Sequence, residues 1–94
     1  MITVKHQKSE SKGQFVLEDD DKQIGIMTYS VAGADKIIID HTEVDPAYKG
    51  EGLGEKLVMA GVDFAREQNI KILPLCPYAK SIFAKKEDIQ DVRL

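Results

Sequence analysis

Ninety-four residues, 43% of them hydrophobic and 31% charged, have the composition of a small globular protein rather than of a disordered or fibrous chain. We expect residues 1–94 to form a single domain, because so short a chain does not sustain two hydrophobic cores. The net charge of −3, with only three Tyr and three Phe as aromatic residues, argues against a broad nucleic-acid surface.

Membrane, secretory and metal-binding classes are also disfavoured. No apolar run approaches the roughly 20 residues that span a bilayer, and the first segment, MITVKHQKSE, has no apolar signal region. Cys76 is the only cysteine, so no intrachain disulfide forms, and only His6 and His41 remain as further strong zinc ligands. We expect a cytoplasmic monomer without a resident metal and without nucleic-acid or membrane partners.

The first half of the chain predicts strands. Apolar alternation favours strands over Gln14–Glu18 and Gln23–Val31, joined as a hairpin by the polar residues 19–22, and a weaker strand over about Thr3–Gln7. A β-branched strand follows over Lys36–Val44, and Asp45-Pro46 ends it. Strict alternation in this strand places one group of residues on a single face: Ile37, Ile39, His41 and Glu43.

The second half predicts two helices around a strand. Leu53–Gln68 carries a helical apolar stripe formed by Leu53, Leu57, Ala60, Gly61, Phe64 and Ala65. Asn69 suits the left-handed residue that ends a helix. We expect a strand over Ile70–Leu75 and a short helix from Pro77 to about Lys86. This order indicates an α+β (mixed α/β) fold, with a mixed, mostly antiparallel sheet and one crossover helix.

The segment Lys49-Gly50-Glu51-Gly52-Leu53-Gly54 lies between the long strand and the start of the first helix. Its glycines permit unusual φ values and close approach of backbone N–H groups to a ligand. The unpaired first-turn amides and the helix dipole favour an anion such as a pyrophosphate. The segment matches neither common nucleotide-binding motif: Glu55 stands where the Rossmann fingerprint has its third glycine, and the Gly-Lys-Ser/Thr of a P-loop is absent.

A strand ending in Thr42-Glu43-Val44-Asp45-Pro46, then this glycine segment, then a helix, resembles motif A of the GNAT superfamily of N-acetyltransferases. That motif is Arg or Gln, two variable residues, Gly, one variable residue, then Gly or Ala. Lys49, Gly52 and Gly54 occupy its fixed positions, and Lys49 departs from the usual Arg or Gln. The similarity extends from about residue 14 to residue 83 and suggests a minimal member that also carries a Cys-Pro-Tyr motif.

The resemblance implies acetyl-CoA as co-substrate and a mechanism of direct acetyl transfer to an amine acceptor. The pyrophosphate would lie on the amides of Lys49, Gly50, Glu51, Gly52, Leu53 and Gly54. The pantetheine would run beside Thr42 and Val44, and the acetyl group would enter where this strand splays from 70–75. The family's usual helices between its first two strands are missing, which leaves the acceptor undefined. The alternative from another class is a non-catalytic acyl-CoA-binding module.

Four residues are candidates for the chemistry. Glu43 and His41 suit the removal of a proton from the amine near neutral pH, and a solvated strand end explains them equally well. Cys76, placed before Pro77 at a helix start, is predicted to have a lowered pKa and to line the site, while a buried, inert thiol is the alternative. The resemblance assigns Tyr78 as proton donor to the CoA thiolate; an ordinary aromatic residue at a helix start is the alternative.

Overall fold

Five strands form one sheet in chain order, and the computed structural model describes residues 1–94. The strands are β1 (Ile2–Lys8), β2 (Lys12–Asp19), β3 (Lys22–Val31), β4 (Lys36–Val44) and β5 (Lys71–Pro74). The pairs β1–β2, β2–β3 and β3–β4 are antiparallel, and β4–β5 is the single parallel pair. The predicted mixed, mostly antiparallel sheet is confirmed.

Two α-helices complete the fold. The crossover helix α1 (Leu53–Gln68) has the predicted bounds and ends at Asn69, which has left-handed angles of φ 57° and ψ 47°. The second helix α2 (Pro77–Lys85) begins with Pro77 at its first position. Two 3₁₀ segments, Pro46–Tyr48 and Glu87–Val92, were not expected from the sequence. Neither α1 nor α2 is long and apolar enough to cross a membrane.

Both helices pack on the same face of the sheet. They contact each other, and their buried side chains share one hydrophobic cluster with the inward residues of the strands. The stripe of α1 differs in part from the predicted one, because Val58 and Val62 are fully buried while Ala60 and Phe64 are only partly buried. The periodicity located the helix correctly but placed its inward face a fraction of a turn away.

A β-bulge at Asp40 overturns the predicted alternation along β4. Thr28 of β3 pairs with His41, but the next residue, Tyr29, pairs with Ile39, so Asp40 has no cross-strand partner. An extra residue on one strand reverses which face the following side chains occupy. His41 therefore lies on the opposite face from Ile37 and Ile39, contrary to the sequence-based expectation.

The effect of the bulge continues to the end of β4. Thr42 and Val44 are half-buried and line a cleft on the helical side, whereas His41 and Glu43 are exposed on the other side. The sequence-based expectation placed Glu43 with the core-facing isoleucines, and this placement was wrong. The bulge consequently separates Thr42 and Val44, which were expected to lie beside the pantetheine, from His41 and Glu43, which were expected to take the proton of the amine.

The parallel pair β4–β5 ends just where the bulge begins. Its last paired residues are Ile39 and Pro74. The carbonyl of Ile39 then accepts hydrogen bonds from the amides of both Leu75 and Cys76, at 3.2 and 3.1 Å. Beyond this point β4 continues to Val44 without a neighbour on that side, because the chain turns into α2. The two strands splay, and residues 40–44 have no neighbouring strand on that edge.

Candidate functional site

The loop between β4 and α1 adopts a conformation that requires glycine. Gly50 and Gly52 have φ angles of 88° and 71°, in the left-handed region that other residues rarely adopt. A side chain built at either position would meet nothing within 4 Å, so both glycines border open space. Their backbone is therefore accessible to a ligand from the side where side chains would otherwise stand.

The start of α1 has free hydrogen-bond donors. Gly52 is its N-terminal capping residue and has no side chain with which to bond the first-turn amides. Such amides carry partial positive charge from the helix dipole and favour an anion. Lys49, directly before this loop, is not part of any ion pair in the structure. The loop thus combines backbone hydrogen-bond donors with the ammonium group of Lys49, which has no ionic partner.

A cleft of about 470 Å³ lies over this loop and along the splayed end of β4. Seven of the residues expected to bind a cofactor line it: Thr42, Val44, Lys49, Gly50, Gly52, Leu53 and Gly54. Glu51 does not line it and is exposed to solvent. Sequence reasoning had not assigned Asp45, Pro46 and Tyr48 to the cleft wall. The Asp45-Pro46 pair, which is typical of the start of a turn, could have indicated that these residues fold back beside the loop.

Tyr48 fixes one wall of the cleft to the body of the sheet. Its hydroxyl donates a 2.8 Å hydrogen bond to the carboxylate of Asp19 at the end of β2. This bond raises the pKa of Tyr48, and bonds from Tyr48 and from the N-terminal ammonium group lower the pKa of Asp19. Asp45 accepts a bond from the amide of Ala47 and caps the 3₁₀ turn. Both bonds hold the segment that leads into the glycine loop.

Cys76 lies where the two strands separate. It is the residue before the first turn of α2, the whole residue is 5% exposed, and its sulfur lies 3.5 Å from the hydroxyl oxygen of Thr42. Burial acts to raise the pKa of Cys76, but bonds from the Thr42 hydroxyl and from the amides of Ala79, Tyr78 and Thr42 outweigh it, so the pKa is lowered. The thiolate is stabilised beside the splayed end of β4.

Tyr78 joins the start of α2 to the glycine loop. Its ring lines the cleft, and a side-chain carbon at Gly54 would lie only 2.5 Å from its hydroxyl oxygen. Burial is the main cause that raises the pKa of Tyr78, and the Glu55 carboxylate adds to this effect. The phenol therefore remains protonated at neutral pH and has a proton to donate.

His41 and Glu43 form a pair on the face away from the cleft. The Nε2 atom of His41 lies 3.4 Å from a carboxylate oxygen of Glu43, and both side chains are exposed. Tyr78 lines the cleft, whereas Cys76 does not line it but contacts Thr42, which does. His41 and Glu43 lie on the opposite side of the splay. Only a ligand that reaches through the splay would come close to both groups.

The split sheet and the glycine-rich loop at its crossover helix define an α+β domain of the GNAT class. Residues 14–92 match the family described as GCN5-related N-acetyl-transferase. A GCN5-like protein from Staphylococcus aureus is 36% identical, with a TM-score of 0.73 over 96% of this chain and 87% of that one. The chain belongs to the GCN5-related N-acetyltransferase family.

Two further similarities extend the comparison. The chicken protein NATD1 is 34% identical over 53 residues, which are 56% of this chain and 48% of NATD1. The matched region thus spans about half the length of this curated relative. A GNAT family acetyltransferase from Elizabethkingia anophelis, solved with acetyl-CoA bound, is 12% identical, with a TM-score of 0.67 over 78% of this chain and 63% of that one. This last similarity concerns the fold alone.

Proposed function

We propose that this protein transfers an acetyl group from acetyl-CoA to an amine by direct attack on the thioester. The observation that carries the proposal is the cleft of about 470 Å³, which connects the glycine loop at the start of α1 with the open edge of β4. A pyrophosphate suits the loop, and an extended pantetheine suits a strand edge that lacks a neighbour. Membership of the family and the fold shared with a structure that holds acetyl-CoA support the same ligand.

In the proposed site the loop from Lys49 to Gly54 holds the pyrophosphate with backbone amides. The amide of Thr42 already bonds Cys76, so the carbonyl of Thr42 and the backbone of Val44 hydrogen-bond the amide groups of pantetheine, as an added strand would. The thioester then lies beside Cys76, at the point where β4 and β5 separate. Tyr48 and Tyr78 line the cleft, and their rings would contact the pantetheine.

The proposed chemistry requires two proton transfers. The neutral amine nitrogen attacks the carbonyl carbon of the thioester, the carbon–sulfur bond breaks, and CoA leaves as a thiolate. Tyr78 lines the cleft, and its phenol is protonated at neutral pH, so we assign it as the group that supplies the proton to that thiolate. Glu43 or His41 takes the proton that the amine nitrogen loses, through water. Atoms and charges balance with CoA thiol and the amide as products.

Cys76 is proposed to line the thioester site without forming a covalent intermediate. Its bond to Thr42 and its near-complete burial hold the sulfur in place. The amide of Cys76 is already bonded to the Ile39 carbonyl, so this amide is not free to stabilise an oxyanion. In direct transfer the thiol shapes the wall beside the acyl group, and the amine meets the thioester from the other side of the splay.

The test is acetyl-CoA turnover with a panel of amines, polyamines and lysine peptides, followed by release of CoA thiol. Calorimetric titration with CoA and acetyl-CoA runs in parallel. Amine-dependent CoA release supports the transferase. Binding of acetyl-CoA without release by any amine indicates the other class, an acyl-CoA-binding module. Absence of binding contradicts both.

A further inference from the structure

The two faces of the sheet differ in what covers them. Both helices, with the 3₁₀ segment Glu87–Val92, pack on one face, and the cleft lies on that side. A short turn of residues 9–11 joins β1 to β2, so no helix from this connection covers the other face. If acetyl-CoA fills the cleft from the helical side, the acceptor has to approach from the uncovered face.

A shallow trough of about 650 Å³ crosses this uncovered face. Polar side chains of three neighbouring strands line it, among them Gln14 of β2, Thr28 of β3 and Asp40 of β4. Only one of its eight lining residues is hydrophobic. An open, polar trough of this kind offers hydrogen bonds along a chain and encloses nothing, so it suits an extended peptide better than a small molecule.

The end of the trough nearest the splay carries uncompensated negative charge. Asp40 is exposed, and its carboxylate accepts a 2.8 Å bond from Ser30, but no Lys or Arg lies within ion-pair distance of it. Glu43, on the same face, has only His41 as a partner. The one lysine of the trough, Lys12, lines it from β2. A cationic group is the complement of the end that Asp40 occupies.

The bulge brings Asp40 next to the reacting region. The Ile39 carbonyl, one residue before Asp40, binds the amides of Leu75 and Cys76. Burial alternates along this segment, with Pro74 and Cys76 buried and Leu75 between them 55% exposed. Leu75 thus lies on the uncovered face, an apolar side chain beside the splay. An aliphatic chain that ends in an amine would contact Leu75 and pass Asp40 on its way to the thioester.

From this arrangement we infer that the acceptor is a lysine side chain on an extended peptide, which lies in the trough of the uncovered face and is recognised there by Asp40. The inference rests on the proposed transferase function and adds the route and the chemical class of the acceptor. Asp40 acts as a specificity residue: it attracts the ammonium group before the group loses its proton, and Leu75 packs against the methylene chain.

The kinetic experiment compares Asp40→Asn with Glu67→Gln, which removes one carboxylate from the exposed side of α1. The substrate is a capped heptapeptide with one central lysine. We expect Asp40→Asn to raise the KM for this peptide by about fivefold, the effect of an exposed ion pair, with kcat and the KM for acetyl-CoA unchanged. Glu67→Gln should change none of these constants. An unchanged peptide KM in Asp40→Asn would overturn the inference.

A second arm separates the peptide from a small amine. Thr28→Val removes one hydroxyl from the trough with little change of shape, and butylamine presents the same ammonium group without a peptide backbone. We expect Thr28→Val to raise the KM for the peptide and to leave the constants for butylamine unchanged. Equal effects on both substrates, or none on either, would show that the peptide does not lie in the trough.

A binding measurement keeps the inference testable if no amine is turned over. The ¹⁵N-labelled protein, saturated with CoA, is titrated with the lysine heptapeptide and with its norleucine counterpart. Shifts of the Thr28, Ser30 and Asp40 amides with the lysine peptide alone support the docking surface, even if the transferase proposal fails. Shifts elsewhere, or equal shifts with both peptides, contradict it.

Discussion

The ring of Tyr78 occupies the space where a side chain of Gly54 would stand. A carbon added at Gly54 would lie 2.5 Å from the Tyr78 hydroxyl oxygen and 2.6 Å from the adjacent ring carbon. Gly54 is in the first turn of α1 and Tyr78 in the first turn of α2, so the contact joins the starts of both helices. The absence of a side chain at Gly54 therefore leaves room for the Tyr78 ring. Gly50 and Gly52, in contrast, allow the left-handed backbone conformation of the loop.

The first prediction concerns this contact. Gly54→Ala forces the Tyr78 ring to move, because the overlap involves the ring itself as well as the hydroxyl. Tyr78 is 39% exposed and its ring can turn towards solvent, so we expect a loss of stability of at most about 1 kcal/mol, the low end of the range for overpacked cores, and roughly tenfold weaker acetyl-CoA binding. Urea unfolding and calorimetric titration measure the two effects.

The control for this prediction is a double-mutant cycle. Tyr78→Ala removes the ring, so Gly54→Ala added to it should cost much less stability than in the parent. Additive losses of stability would show that the alanine acts through something other than the tyrosine. Tyr78→Phe keeps the ring and removes only the proton donor, so it should retain acetyl-CoA affinity and lower kcat.

The second prediction concerns the loop conformation. Gly52→Val places a β-branched residue at φ 71°, where strain is of the order of 1–3 kcal/mol. It should weaken acetyl-CoA binding by at least about tenfold, because the side chain also enters the space bordering the cleft. Gly33→Val is the matched control, because Gly33 also has a positive φ, of 94°, but lies in the β3–β4 turn. It should cause similar backbone strain and leave acetyl-CoA binding unchanged. If Gly52→Val remains folded and binds like the parent, the loop is not the binding site.

Much of the fold was predictable from local pattern. The bounds of β4 and α1 follow from a β-branched run and a helical stripe, and Asn69 ends α1 as its residue type suggests. The bulge at Asp40 was not predictable, because the polar residues from Asp40 to Glu43 are compatible with either face of the strand. Its consequence, the reversal of His41 and Glu43, depends on the partner strand β3 and not on the sequence of β4.

The candidate site was predictable to a similar extent. The loop residues could be predicted from the glycine spacing, because glycine is the residue type that most readily adopts a positive φ. Contacts between residues that are distant in sequence could not be predicted in this way. Thr42 contacts Cys76, which is 34 residues away in the sequence, and Tyr48 contacts Asp19, which is 29 residues away. These pairs depend on how the strands and helices pack, and they determine which walls the cleft has.

The third prediction concerns charge at the loop. Lys49 lines the cleft without an ionic partner, so its ammonium group is available to a pyrophosphate. Lys49→Ala should weaken CoA binding by about fivefold and leave binding of pantetheine, which has no pyrophosphate, unchanged. Lys12→Ala, which lies outside the cleft, should change neither affinity. Equal losses for CoA and pantetheine in Lys49→Ala would indicate an effect on folding instead.

The fourth prediction concerns pH and His6. Its ring stacks on Phe15 at 4.2 Å, and its Nε2 lies 2.6 Å from the buried Tyr29 hydroxyl. Burial, with a smaller contribution from Lys8, lowers the pKa of His6 below 6.5. The unfolded chain therefore takes up a proton more readily than the folded one. This contribution to stability is complete above about pH 6.5 and falls as the pH decreases through 6.5 towards the lower folded pKa.

Melting temperatures at pH 7.5 and pH 5.5 test this assignment. The parent should melt slightly lower at pH 5.5, because His6 is exposed and solvent screens the effect, and His6→Gln should lose most of that difference while keeping a polar partner for Tyr29. The assignment is wrong if His6→Gln and the parent respond alike.

The last prediction begins with the acidity of Cys76. The hydrogen bonds from Thr42 and from the start of α2 lower its pKa below the ordinary 9.0 in spite of burial. The rate of alkylation by iodoacetamide should therefore rise with a midpoint below pH 9.0, and bound acetyl-CoA should protect the thiol. Thr42→Val, which removes the hydroxyl donor, should move that midpoint upward; an unmoved midpoint would mean that the helix amides act alone.

Two variants of Cys76 then separate direct transfer from a covalent relay. If transfer is direct, the thiol only lines the site, and Cys76→Ala and Cys76→Ser should keep activity within about tenfold of the parent. If Cys76 is a covalent nucleophile, its removal should lower kcat by a factor on the order of 10⁴ or more. Intact-mass spectra of the parent with acetyl-CoA should show no added acetyl group. We expect direct transfer, since the sulfur is buried and already bonded to Thr42. An acetylated Cys76 that disappears when amine is added would establish the relay instead.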